Sequence, residues 1–159
     1  MSSFNKHSII NKSINKKKYE VNTSSINTDL NIFQNLNVSI CIHCGNLEIF
    51  KELVTYVKNF EEFKWNRLQI IINVVIDLVD KDIVQELIKA TFKYCHFIII
   101  KSKNTGLDIG GFLRCLEYIK DDDHIIVKIH TKGRKEWRHG LMKIFTKEGI
   151  YNSVKLLHF

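Results

Sequence analysis

Two polar clusters between Asn104 and Arg138 carry the residue types that chemistry needs. The first reads Asn104-Thr105-Gly106-Leu107-Asp108-Ile109-Gly110-Gly111-Phe112. Gly106, following an Asn and a Thr, suits a turn with positive φ, and Asp108 stands where a carboxylate can cap the free amides of a helix. Gly110 and Gly111 would each cost about 1 kcal/mol relative to alanine inside a helix, so the pair needs a reason. Either a ligand or a neighbouring strand comes close to the backbone, leaving amides free for a phosphate or sugar oxygen, or the turn is simply tight with Asp108 as its N-cap.

The second cluster reads Lys128-Ile129-His130-Thr131-Lys132-Gly133-Arg134-Lys135-Glu136-Trp137-Arg138. Lys128, His130 and Lys132 alternate, so at the end of a strand all three project to one side. Three basic groups on one face of an otherwise apolar strand are expensive unless that face opens onto a site. Arg134 and Arg138 add forked donors suited to a diphosphate or a carboxylate. Together these groups can hold a nucleotide diphosphate and stabilise it as a leaving group. The structural alternative is a satisfied His130 with Arg134 and Lys135 solvated at the surface.

Each cluster follows an apolar run of strand type, the position at which open α/β sheets bind ligands. Val38 to Ile42 reads as a first strand, and Leu47, Phe50, Leu53, Val54 and Val57 then recur at helical spacing. Leu68 to Ile76 is a nearly continuous β-branched run broken by Asn73, as expected of a strand covered on both faces. Asp80-Lys81-Asp82 opens a second helix, with Ile83, Val84, Leu87, Ile88 and Phe92 as its apolar residues. Phe97 to Ile100 is a third strand and His124 to Ile129 a fourth, separated by a helix whose inner stripe is Phe112, Leu113, Leu116 and Ile119. Trp137 to Phe159 reads as helical with an interruption at Gly149. Alternation of this kind implies an α/β fold of three layers, a mainly parallel sheet of about four strands flanked by helices. Residues 1–36, rich in Ser, Asn and Lys, read as a polar, mobile extension, and residues 37–159 as a single domain.

The chain of 159 residues is 45% hydrophobic, ample for one buried core. A net charge of +7 favours anionic partners, although lysine supplies most of it and a solvated lysine surface accounts for much of that excess. Nucleic acid ranks last among the partner classes, because no RNA- or DNA-binding motif accompanies the charge; it would rest on Lys16-Lys17-Lys18 and on Trp65 or Trp137 as stacking surfaces. No apolar run approaches the roughly 18 residues of a membrane span, and no apolar leader follows Met1. Together with four cysteines that read as core thiols, this points to the cytosol. Cys41-Ile42-His43-Cys44 has the spacing of half a zinc site without a second half at a usual separation.

The motif Asn104-x-Gly-x-Asp-Ile-Gly-Gly-Phe, a helix and a strand, then Lys128-Ile-His-Thr-Lys and Trp137-Arg138, resembles the rhamnan synthesis protein F family. The likeness runs from about Asn37 to Phe159 and includes His43 in the first strand. It implies a glycosyltransferase-like protein of polysaccharide synthesis, with a nucleotide-sugar donor and a glycan acceptor. Asn104, Gly106, Asp108, Gly110 and Gly111 would then shape the nucleoside or sugar pocket, with His43 beside them. Lys128, His130, Lys132 and Arg138 would face the diphosphate, Arg134 and Trp137 would join the substrate-binding residues, and Asp108 or His130 would be the catalytic base. The order of elements also looks like the nucleotide-binding half of GT-A glycosyltransferases, in which an Asp-x-Asp metal motif ends the fourth strand. Here Lys-Ile-His-Thr-Lys occupies that place, and the acidic run Asp121-Asp122-Asp123 falls before the strand, so basic groups are expected to replace the divalent metal. Members of the family carry a further, acceptor-side half beyond this region. The alternative function is therefore a noncatalytic nucleotide-sugar or glycan-binding module, a partner or remnant of a larger transferase, with that transferase or a second subunit as its partner.

Overall fold

The computed structural model describes residues 32–120, 122, 125–131 and 133–157. Four strands form one parallel sheet: β1 (Asn37–Cys44), β2 (Arg67–Val75), β3 (His96–Ser102) and β4 (Ile125–His130). Among the described residues five helices accompany them: α1 (Leu47–Val57), α2 (Lys81–Thr91), α3 (Leu107–Leu116), α4 (Lys135–Met142) and α5 (Lys147–Leu157). Short 3-10 turns at Lys58–Glu62 and Lys143–Phe145 follow α1 and α4. The strand order is β3-β2-β1-β4, a Rossmann-like three-layer α/β arrangement.

Helix starts follow local chemistry. The Asn46 side chain accepts a hydrogen bond from the Ile49 amide at 3.0 Å and the Asp80 carboxylate one from the Asp82 amide at 2.8 Å, so each satisfies a donor left open by its helix. The apolar stripe of α1 then buries Phe50, Leu53, Val54 and Val57 against the sheet. Burial of one such side chain contributes roughly 1.5–3 kcal/mol.

The two inner strands, β1 and β2, are covered on both faces, which accounts for the unbroken apolar run of β2. Alternate residues separate into two cores. Val38, Ile40, Ile42, Ile70, Ile72 and Ile129 join α1 and α2 in the larger one, while Cys41, Ile71 and Cys115 form a smaller one under α3. The larger core is built from apolar side chains of the sheet and of both helices. The α3 face also carries polar groups from β1 and β2, among them Gln69, which donates to the Tyr118 carbonyl at 3.1 Å, and His43 with Asn73.

Some expected boundaries shift. Phe33 and Leu36, on the extension side of the expected boundary at residue 36, are buried with Val154 and pack against Trp65 and Phe63. In α3 the buried positions are Gly111 and Cys115, and Leu113 is exposed, so the inner stripe is rotated from the one expected. Glycines at the front of the helix let it approach the sheet closely and turn that side inward. The C-terminal helical stretch breaks at Thr146 instead of Gly149. The Thr146 hydroxyl accepts from the Gly149 amide at 3.1 Å, and a Cβ on Gly149 would lie only 2.4 Å from the Lys143 carbonyl oxygen. Glycine is there because two backbones meet. Among the described residues, no helix is long and apolar enough to cross a membrane.

Candidate functional site

The direction of strand order changes at β1: β2 and β3 lie on one side of it and β4 on the other. The connection from β3 to β4 recrosses the sheet through α3, which packs on the face opposite α1 and α2. In open parallel sheets the crevice that receives ligands lies at such a switch point, here outside the carboxyl ends of β1 and β4. Both polar clusters meet there. Lys128 of β4 places Nζ 3.1 Å from Oδ2 of Asp108 in the first turn of α3, with the two side chains 35% and 26% exposed. The same ammonium sits 5.4 Å from the centre of the Phe112 ring, a cation–π distance. The Lys128 hydrogen bond, helped by a backbone amide and by the charges of Lys128 and His130, holds the Asp108 carboxyl below its ordinary range against the opposing effect of burial.

The paired glycines have separate explanations. A Cβ on Gly110 would lie 2.0 Å from the Thr105 carbonyl oxygen, so this glycine closes the turn on itself. A Cβ on Gly111 would lie 1.9 Å from Nδ1 of His43, so this glycine makes room for a side chain of the neighbouring strand. Gly106 has φ +73° and Leu107 follows at +52°. A left-handed leucine costs on the order of 1 kcal/mol, strain of the type that collects at ligand-binding turns. Asn104 and Gly106 are exposed on this loop. Asp108 lies one residue inside the helix, and Gly106 holds the N-cap position without a side-chain hydrogen bond, so the expected carboxylate cap is replaced by the ion pair with Lys128.

The second cluster divides between two sides of the molecule. Lys128 and His130 share the α3 side of β4, as their alternation requires. Arg138 turns to α1. It is buried, its Nη2 lies 2.9 Å and its Nε 3.2 Å from Oε2 of Glu52, and its Nη1 donates to the Gly133 carbonyl at 3.1 Å. The Glu52 carboxyl is held low chiefly by the hydrogen bond from Arg138, with burial opposing and the charges of Arg138, His139 and Lys135 assisting. Arg134 is exposed and makes no ion pair among the described residues. Lys132 and the side chain of Trp137 lie outside the described part of the chain.

Three residues of this region escaped the reading of the sequence. The Thr131 hydroxyl accepts from the amides of Gly45 at 2.8 Å and Asn46 at 3.0 Å, tying the β4 exit to the start of α1. It thereby occupies amides that would otherwise be open to an anion. Asn73, fully buried, contacts His43 at 3.0 Å; the sequence signal was the single polar break in the β2 run. Glu52 carried no signal beyond its place on α1.

The remaining motifs resolve structurally. Cys41 and Cys44 fall on opposite faces of β1, so this pair does not converge on one ion. Among the described residues, no group of three or more His, Cys, Asp or Glu side chains gathers to hold a metal. Asp122, from the acidic run, accepts hydrogen bonds from Arg67 at 2.9 and 3.1 Å and from Asn37, at the amino end of the sheet away from the crevice. Trp65 is packed among Phe33, Phe60 and Phe63 and donates from Nε1 to the Phe60 carbonyl at 2.7 Å, which removes it as a free stacking surface. Neither a family model, nor a curated protein, nor a solved structure matches this chain.

Proposed function

We propose that the crevice binds a nucleoside diphosphate sugar and that the protein is a glycosyltransferase-like component of polysaccharide synthesis of the rhamnan type. The observation that carries this reading is the meeting of the two motifs, Asp108 of α3 with Lys128 of β4, at the carboxyl ends of a parallel sheet ordered β3-β2-β1-β4. Lys128 supplies positive charge for the diphosphate, His130 a ring nitrogen for hydrogen bonding, and Asp108 acceptors for sugar or ribose hydroxyls. A partly exposed ion pair can exchange partners: the ligand's phosphate takes Lys128 while its hydroxyls take Asp108. With basic groups in this place, donor binding needs no divalent metal.

Transfer to a glycan acceptor further requires a general base. Asp108, held ionised by Lys128, is a weak one, and this favours a second reading in which the domain binds donor or glycan without turnover, as partner to a larger transferase. Titration with a panel of nucleoside diphosphate sugars, dTDP-rhamnose included, followed by thermal stability and sugar release, separates the two. Stabilisation with sugar release supports the enzyme, stabilisation alone supports a donor-binding module, and no response to any donor removes the transferase and leaves the glycan-binding partner.

A further inference from the structure

His43 ends β1 in register with Asn73 on β2 and His130 on β4, and it is 8% exposed. Its Nδ1 lies 3.0 Å from Nδ2 of Asn73. An amide nitrogen is only ever a donor, so this contact is a hydrogen bond only when the ring nitrogen is unprotonated. The proton of the neutral imidazole then resides on Nε2.

The opposite amide orientation is disfavoured. It would set Asn73 Oδ1 against the ring and move the NH2 group to the place now held by Oδ1, which is buried and meets no partner among the described residues. A buried carbonyl oxygen without a partner is tolerated better than buried N–H groups without one. Gly111 completes the arrangement. The Nδ1 and Cε1 side of the ring faces the α3 backbone so closely that no Cβ fits there, while Asn73 engages Nδ1 from β2. His43 lies in register with His130 on the face of the sheet that also carries Lys128, whose ammonium meets Asp108.

We propose that Asn73 is a positioning residue that holds His43 as the Nε2–H tautomer, making His43 a neutral hydrogen-bond donor to an acceptor oxygen of the bound nucleoside diphosphate sugar. The donor role rests on the proposed function, whereas the tautomer does not. A neutral donor beside Lys128 reads the position of a phosphate or sugar oxygen without adding charge.

The test is the two-bond ¹H–¹⁵N correlation spectrum of the histidine rings in the full chain, recorded at roughly pH 8, above the ordinary imidazole range near about 6.5. The His43 signals are assigned by their loss in His43→Gln. Wild-type protein is expected to give an unprotonated Nδ1 and a protonated Nε2 for His43. Asn73→Asp replaces the donor with an acceptor and is expected to move the proton to Nδ1 and weaken donor binding at least tenfold. A wild-type spectrum with Nδ1 protonated overturns the proposal even if that variant fails to fold, and so does a folded Asn73→Asp protein with the tautomer unchanged. A switched tautomer with unaltered affinity for the donor that binds wild type overturns the donor role. The expected tautomer with no nucleotide sugar bound by wild type instead overturns the function proposed for the crevice and leaves the positioning by Asn73 in place.

Discussion

Lys128 and Arg138 belong to one motif and both end in ion pairs, yet they sit in opposite environments. The Lys128–Asp108 pair is about one-third exposed and borders the crevice, whereas Arg138 is 9% exposed and joins α4 to Glu52 of α1. An exposed pair contributes about 1 kcal/mol or less and exchanges partners readily. A buried pair leaves an uncompensated charge when one member is removed. Two cations of similar appearance in the sequence thus have different duties: one is available to a ligand, and the other holds the layers together.

The largest expected effect in that comparison is Arg138→Ala, which should cost about 3 kcal/mol in chemical denaturation because Glu52 loses its partner while remaining partly buried. Gly111→Ala should cost about 2 kcal/mol, since the added methyl forces His43 or α3 to move. Its denaturation midpoint should fall together with donor affinity.

The acid limb of stability sharpens the contrast further. Both Glu52 and Asp108 have carboxyls held below the ordinary range, so each contributes stability that is fully present above the unfolded-state values, near about 4, and lost as pH falls through the folded values. Arg138→Ala should flatten the loss of stability below about pH 4 more than Lys128→Ala does, because the Glu52 pair is the more buried. A denaturation series over pH checks the order. The smallest stability effect is that of Lys128→Ala itself, roughly 1 kcal/mol or less, accompanied by the largest loss of ligand affinity.

Much of the fold was legible because periodicity reports burial. The run from Leu68 to Ile76 could only be an inner strand, and Phe50, Leu53, Val54 and Val57 marked the buried side of α1. Alternation likewise set Lys128 and His130 on one side of β4. What stayed hidden depended on contacts distant in sequence. Spacing does not reveal that Arg138 would meet Glu52, 86 positions earlier, or that Thr131 would cap the amides of Gly45 and Asn46. The rotated stripe of α3 arose the same way. Gly111 is buried for the sake of His43, a strand side chain, and hydrophobicity counting has no means of registering a buried glycine.

Calorimetric titration of wild-type protein and Lys128→Ala with the nucleoside diphosphate sugar panel, in the presence of EDTA, tests the central claim most directly. The account predicts that at least one donor binds wild type without metal and binds Lys128→Ala at least tenfold more weakly, with both proteins equally folded. Equal affinity for the two proteins, or binding that vanishes with EDTA, would contradict it.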